Sequence, residues 1–450
     1  MCHNHTRMFR LISGFFVRLA ERWMPDPLVI AIALTMVCFV AVVALTPFGV
    51  MQTIDAWGVG YWSLLSFTCQ MILVLALGHV VAHTRPVNMA LVGLSRRVNS
   101  ARTAYIGLTL VALTCSLFSW GIGLIVPAVL ARIVARDCRE RGIRVHFPLL
   151  VASGYAGSLV GMQGLSASIP LILNTPDHFL VETVGLIGLE HTIFSPWSMS
   201  IVAAIMVFLP LALYFSAPRD KDIREMPRSA EVDWKADPPI AAADMTPSRR
   251  MENTRLITLT LGAFGAVYIV RYFVIGGSLN LNSLNMSFVV LGLLFADSTK
   301  HYVRLLSNAA KVAGPFLIQY PLYAGLMGMM QASGLGELFV GGFVSVSTAE
   351  TLPLYTFFSA ALLNLFIPSA GGQWAVQGPI VTEAAIQLGS DVPRVAMAVA
   401  VGEVWTNAIQ PLYAVPVLAI AGLHIRDIMG FLVIALGVNG VIYVTALTFF

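Results

Sequence analysis

Apolar runs of about twenty residues recur along the chain, separated by short polar or charged segments. A helix rising 1.5 Å per residue needs about 20 apolar residues to cross about 30 Å of hydrocarbon. Runs meeting that length lie at 27–47, 61–82, 147–174, 195–216, 255–274, 306–330, 395–422 and 427–448, and a shorter run at 284–299 is a weaker ninth. Two more stretches, 104–134 and 352–385, are apolar but too long for one span, and Gly, Pro and Ser interrupt each near its middle. The pattern therefore predicts an all-α polytopic membrane protein with about nine full spans.

Composition sharpens this reading. Charged residues make up 11% of the 450, against about 25% in ordinary soluble chains. With 57% hydrophobic residues and a mean hydropathy of +0.80, a soluble globular fold, disorder and nucleic-acid binding are excluded as classes. The five cysteines (Cys2, Cys38, Cys69, Cys115 and Cys138) form no close pair, so neither a disulfide framework nor a zinc site is expected. His79 and His83 stand at i, i+4, but two ligands do not make a metal site.

Charge then orients the spans. Of the 27 basic residues, 25 fall before residue 27 or in the segments 83–103, 132–146, 217–255 and 299–311, or at Arg426, leaving Arg271 and Arg394. The segments 48–60, 175–194 and 331–351 contain no Lys or Arg, as external loops should under the positive-inside rule. Residues 1–26, with arginines among Phe and Leu and no small-residue cleavage site, read as a retained amphipathic interfacial helix. Stretch 104–134 has basic flanks on both sides, so it enters and returns from the cytoplasm as a re-entrant hairpin with its tip at Ser116–Gly123. Stretch 352–385 lacks basic flanks and forms the external counterpart, with its tip at Phe366–Trp374.

Shifting the chain by ~248 residues lays one hairpin on the other and the span at 147 on that at 395, which suggests an internal repeat. Each hairpin precedes a long apolar span with its own break, at Gly161–Ser168 and at Trp405–Pro411. The expected organisation is a first repeat over 27–216, a cytoplasmic linker over 217–254 and a second repeat of inverted topology over 255–450.

Non-helical backbone at membrane depth is tolerated only where protein or a water-filled cavity satisfies it. Broken helices also present N-termini of about +0.5 charge and C-termini of about −0.5, suited to an anionic substrate and a coupling cation. The four breaks should thus converge on one site. Its candidate substrate-binding residues are Ser119, Trp120, Gly121, Gln163, Ser166, Ser369, Gly371, Gly372, Gln373, Thr406 and Asn407. Ser119 and Ser166 have an alternative in bonding back to their own helix carbonyls. Glu403, four residues before Asn407 and deep in apolar sequence, is the candidate ion-coupling group, because a lone charge there costs several kcal/mol unless paired or neutralised.

The blocks Leu113–Gly121, Pro148–Ser153, Pro368–Pro379 and Gly402–Pro411 resemble the bacterial short-chain fatty acid transporter family, most specifically at Gly371-Gly372-Gln373-Trp374-Ala375-Val376-Gln377-Gly378-Pro379. The resemblance runs from about Phe9 to the C-terminus. It implies uptake of small monocarboxylates such as acetoacetate or butyrate, and kinship with the ion-transporter superfamily of sodium-dicarboxylate symporters, whose paired hairpins and broken helices match the plan above. In that superfamily the tips carry Ser-Asn-Thr motifs; this chain has Ser116 and Ser119 in one half and Asn364 and Ser369 in the other.

The expected protein is thus a multi-pass secondary carrier of the inner (cytoplasmic) membrane, symporting a short monocarboxylate with H⁺ or Na⁺ by alternating access. The alternative is a cation/proton antiporter on the same plan. An enzyme is not expected, since no His lies in a break and no catalytic pair is evident, and no phosphate-binding loop marks a primary pump. No cofactor, metal centre or nucleic-acid partner is expected; membrane lipid surrounds the spans, and the plan allows a homodimer.

Overall fold

The computed structural model describes residues 27–218, 220–227, 246–314, 316–365, 367 and 369–449. The interfacial helix expected over 1–26, most of the linker, and Phe366 and Pro368 of the second tip lie outside these residues. Among the described residues all regular structure is helical. In chain order it comprises α1 Pro27–Leu45, α2 Val50–Tyr61, α3 Leu65–Ala82, α4 Arg85–Ser95, α5 Ala101–Phe118, α6 Trp120–Glu140, α7 Phe147–Ser158, α8 Ser168–Leu173, α9 Val181–Val184, α10 Pro196–Phe215, α11 Pro247–Asn253 and α12 Leu256–Val274. These are followed by α13 Leu281–Phe295, α14 Thr299–Ala313, α15 Phe316–Ser333, α16 Leu335–Val346, α17 Leu352–Leu363, α18 Ala370–Leu388, α19 Val392–Thr406, α20 Pro411–Ala421 and α21 Ile425–Phe449.

Six stretches of described residues are long and apolar enough to cross a membrane: α3, α5, α10, α12, α21 and the broken pair α7–α8 over Phe147–Leu173. Their burial places them in the bundle. The most apolar window of α7–α8 is 94% buried, that of α12 only 22%, so the former is the central element and the latter presents its flank outward. A central helix needs apolar or small residues on every face, and Phe147–Ser158 supplies them with four alanine or glycine positions and two serines around its aromatic and aliphatic ones.

Around α7 pack α5, α6, α10 and α21; on the other side α17, α18 and α19 form a second group, which α8 and the Gly161–Gln163 turn touch through α19. A third group, α1, α2, α15 and α16, packs on α18 through α15 and α16.

Two segments expected as external loops, within 48–60 and 331–351, are helical instead, as α2 and α16. The polar residues of 48–60 concealed a packing face: Gly60 meets Gly328 of α15 so closely that a Cβ on Gly60 would lie 2.8 Å from the Gly328 Cα. Small residues at a crossing admit such backbone approach. Likewise the apolar run 306–330 is not one helix, because α14 ends at Ala313 and α15 starts at Phe316. α14 carries Lys300 and Arg304 opposite an apolar stripe, the pattern of a surface-lying helix rather than a span.

On the face where α6 ends and α7 begins, residues 220–227 form a strap. Arg224 donates its N–H to His146 Nδ1 (3.0 Å), and its carbonyl accepts the Phe147 N–H (2.8 Å). Its guanidinium reaches Asp427 of α21 (3.1 Å), and Arg139 of α6 donates to the Met226 carbonyl. Burial holds His146 below its ordinary pKa, at about 4, and the neighbouring Arg224 charge adds to the effect.

Candidate functional site

The two interrupted stretches are built alike locally. α5 stops at Phe118 and α6 starts at Trp120, with Ser119 between them in extended backbone. α17 stops at Leu363 and α18 starts at Ala370, capped by extended Ser369, whose hydroxyl accepts the Gly372 N–H (3.4 Å). Each arm also ties to its neighbouring broken span at matching positions. The Ser116 hydroxyl donates to the Ser158 carbonyl (2.9 Å), and at the same ~248-residue offset Asn364 Nδ2 donates to Thr406 Oγ1 (3.1 Å).

From there they diverge. In the first half, glycines weld the tip to the break. A Cβ on Gly164 would meet the Leu117 backbone, 2.6 Å from its Cα, and one on Gly161 would lie 2.6 Å from Trp120 Cβ. The Ser166 hydroxyl accepts the Trp120 N–H (2.9 Å), and the Leu165 N–H donates to the Leu117 carbonyl (2.7 Å). Gln163 turns away from the tip, 3.5 Å from Ser198 and from the Tyr443 hydroxyl. Ser119 is buried beside Gly78 of α3, and Gly121 is buried just beyond it. The Ser119 hydroxyl and the Trp120 indole N–H have no protein partner among the described residues.

In the second half the contacts are polar. Asn364 Nδ2 also donates to Asn407 Oδ1 (2.7 Å), and Asn407 Nδ2 donates to Glu403 Oε1 (3.0 Å). Thr406 donates its hydroxyl to the Ala361 carbonyl (3.0 Å), and Gln373 Nε2 donates to the Ala360 carbonyl and to Gln377 Oε1 (both 3.0 Å). Glu403 is 2% exposed, and no Lys or Arg among the described residues is fully buried. Among the described residues three acceptors here lack a protein donor: Asn364 Oδ1, Gln373 Oε1 and Glu403 Oε2. Donors without acceptors stand nearby in the sequence elements that meet here, namely the Trp374 indole and the Tyr323 and Tyr413 hydroxyls.

Aromatic side chains wall this tip. The Tyr320 hydroxyl bonds Ser369 (3.0 Å), and Cβ atoms placed on Gly371 and Gly372 would lie 2.8 Å from the Phe67 ring and 2.7 Å from the Tyr323 ring. Trp374 is fully buried, while the Trp405 indole donates to the Leu436 carbonyl (2.7 Å) and so packs away from the polar cluster.

Of the residues singled out in the sequence, the structure brings Thr406, Asn407 and Glu403 into one hydrogen-bonded group, with Gln373, Ser369, Gly371 and Gly372 on the adjoining arm. Ser119, Trp120 and Gly121 stand at the other tip, and Gln163 and Ser166 are engaged in fixing it. Asn364 and the tyrosines 320, 323 and 413 are site residues that the sequence does not single out as such. Asn364 had a signal, a lone amide in the apolar run Leu362-Leu363-Asn364-Leu365-Phe366; the tyrosines had none separable from packing aromatics.

The architecture has known counterparts. The sequence profile described as "Short chain fatty acid transporter" matches residues 8–450. The chain belongs to this family. Relatives carrying the provisional name short-chain fatty acid transporter occur in Escherichia coli, 40% identical over 98% of this chain and 100% of that protein, and in Haemophilus influenzae, 34% identical over the same shares. Among solved structures, the fold is similar to the YdaH transporter of Alcanivorax borkumensis (TM-score 0.57, 18% identity, 94% of this chain and 98% of that one). It is also similar to MtrF of Neisseria gonorrhoeae (TM-score 0.54, 16% identity, 96% and 97%), which is described among antimetabolite efflux pumps. At these identities the likeness concerns the fold. The chain is a multi-pass membrane transporter.

Proposed function

We propose that this transporter takes up short-chain fatty acids or related small monocarboxylates such as acetoacetate and butyrate, in symport with H⁺ or Na⁺ and by alternating access across the inner membrane. The observation that carries this reading is the buried carboxylate at the second break, whose Oε2 has no protein donor and beside which, among the described residues, no Lys or Arg is buried. Such a group calls for a cation, as a proton on Glu403 or as a metal ion ligated by oxygens. The substrate's single negative charge is served by the N-termini of α6 and α18 and by neutral donors such as Trp374, and its short apolar tail by the aromatic wall of Phe67, Tyr320 and Tyr323. On this reading α5–α6 and α17–α18 are re-entrant hairpins of two inverted repeats, which the matched bonds of Ser116 and Asn364 support, and the linker lies in the cytoplasm.

Purified protein in liposomes tests the proposal, with uptake of labelled acetate, butyrate and acetoacetate measured while pH and Na⁺ gradients are imposed separately. Accumulation of a monocarboxylate driven by one gradient is expected. A cation/proton antiporter on the same plan would instead move cations with no monocarboxylate requirement. Competition by dicarboxylates as strong as that by butyrate would contradict the proposed substrate class.

A further inference from the structure

Tyr155 lies in the last turn of α7, is 1% exposed, and crosses from the first half to the second: its hydroxyl donates to the Asn407 main-chain carbonyl at 2.6 Å. Under the ~248-residue offset its counterpart is Glu403, so the two broken spans place a phenol and a carboxylate at corresponding positions. Its ring meets that of Tyr413 edge-on (6.1 Å).

Asn407 is where α19 gives way to the turn Asn407–Ile409, so its carbonyl belongs to the oxygens that carry the negative end of that helix. A carbonyl oxygen has two lone pairs. One takes the Gln410 N–H (3.3 Å), a donor fixed by the backbone of the turn; the other takes the Tyr155 O–H. The Asn407 side chain meanwhile bonds Glu403 and Asn364, the residues that bear two of the unmatched acceptor oxygens. The same residue thus turns its side chain to the acidic cluster and its main-chain oxygen to a phenol whose O–H can turn away about its C–O bond.

We infer that Tyr155 is a positioning residue that holds the Asn407 carbonyl while no cation is bound, and yields that oxygen to Na⁺ when the ion binds beside Glu403. The inference rests on the carrier reading above and commits it to Na⁺. A phenolic O–H and a cation both present positive charge to one oxygen, so the two compete, and the apparent affinity for the ion is lowered by the fraction of time the phenol occupies it. The phenol acts on the ion only; the butyrate contacts are untouched.

The test is the Na⁺ dependence of labelled butyrate uptake in proteoliposomes, with the butyrate half-saturation measured at saturating Na⁺. Tyr155→Phe removes the competing donor, and a hydrogen bond of ordinary net strength corresponds to a half-saturating Na⁺ concentration lowered about fivefold. The butyrate half-saturation should stay unchanged, a split that mere loosening of the fold would not produce. A fluorotyrosine placed at 155 keeps the shape but donates more strongly, so it should raise the half-saturating Na⁺; it keeps the test open should Tyr155→Phe fail to fold. An unchanged or raised half-saturating Na⁺ in Tyr155→Phe, or an unchanged one in the fluorotyrosine protein, would overturn the inference. Uptake driven by a pH gradient with no Na⁺ dependence would overturn it too while leaving the carrier reading standing, and absence of uptake under either gradient would overturn both.

Discussion

The two tips start from the same device and end in different states. At the first, Gly161 and Gly164 let backbone meet backbone, and Ser116 and Ser166 spend their hydroxyls on closing the joint. At the second, the position matching Ser116 carries Asn364, bonded to Thr406 at the position matching Ser158, and its bonds lead on to Asn407 and then to a buried carboxylate. A joint sealed by main-chain contact is rigid and electrically quiet; a joint made of amides around one carboxylate responds to charge. We propose a clamping role for the first break and the coupling chemistry for the second.

The sharpest way to break this comparison is to add one methyl group to a glycine of each tip. Gly164→Ala places its Cβ against the main chain of Leu117, which cannot yield without moving α5, and overpacking of that kind costs about 3 kcal/mol or more. Folded yield and thermal stability in detergent should collapse. Gly372→Ala meets ring atoms of Tyr323 and Tyr320 rather than main chain, so this variant should lose less folded protein than Gly164→Ala yet take up butyrate poorly. Equal loss of folded protein in both would erase the distinction.

A smaller effect separates the matched donors. Asn364→Ala leaves the buried Asn407 Oδ1 without its donor, which costs about 1–3 kcal/mol, and should disturb the placement of Asn407 and with it ion-driven uptake. Ser116→Ala removes one hydroxyl bonded to a main-chain carbonyl, costs about 1 kcal/mol, and should leave the ion dependence of uptake where it was. Uptake assays on both variants over a range of Na⁺ and pH check this pair.

Legibility in the sequence followed the same divide. The spacing of Glu403 and Asn407 at i, i+4 on one helix, and the Gly371-Gly372 pair after a capping serine, are local patterns, and both reappear in the structure as neighbours. What Gln163 and Ser166 do is not local. Polar residues in a break read alike whether they face a substrate or fasten a tip, and only the tertiary arrangement shows Ser166 bonded to Trp120. The cross-half bond of Tyr155 depends on two spans 252 residues apart and leaves no periodic trace. Helices α2 and α16 look like loops in the sequence because a stretch without Lys or Arg is the same to a charge count whether it coils or packs as a helix against α15 or α18.

The smallest expected effect lies outside both tips. His146 accepts the Arg224 N–H at Nδ1 and so must be neutral there, with a pKa lowered from 6.5 to about 4. Its protonation is therefore disfavoured in the strapped form relative to the released one. The strap should keep its full stability above about pH 6.5 and lose it progressively as pH falls toward about 4, the linkage expected for a depressed histidine. Limited proteolysis around residues 220–227 should accelerate between pH 7.5 and pH 5, and a pH-independent rate would show that His146 does not govern the strap. Transport at neutral pH should be unaffected, in keeping with its distance along the chain from both tips.

The most direct test of the central claim is Glu403→Gln, which keeps the size and hydrogen-bonding reach of the side chain but fixes it neutral. In proteoliposomes loaded with unlabelled butyrate, the variant should still exchange internal for external labelled butyrate. With empty vesicles and an imposed pH or Na⁺ gradient, it should fail to accumulate the label above its external concentration. Normal accumulation under both gradients would contradict the account, making Glu403 a structural carboxylate and placing coupling elsewhere in the molecule.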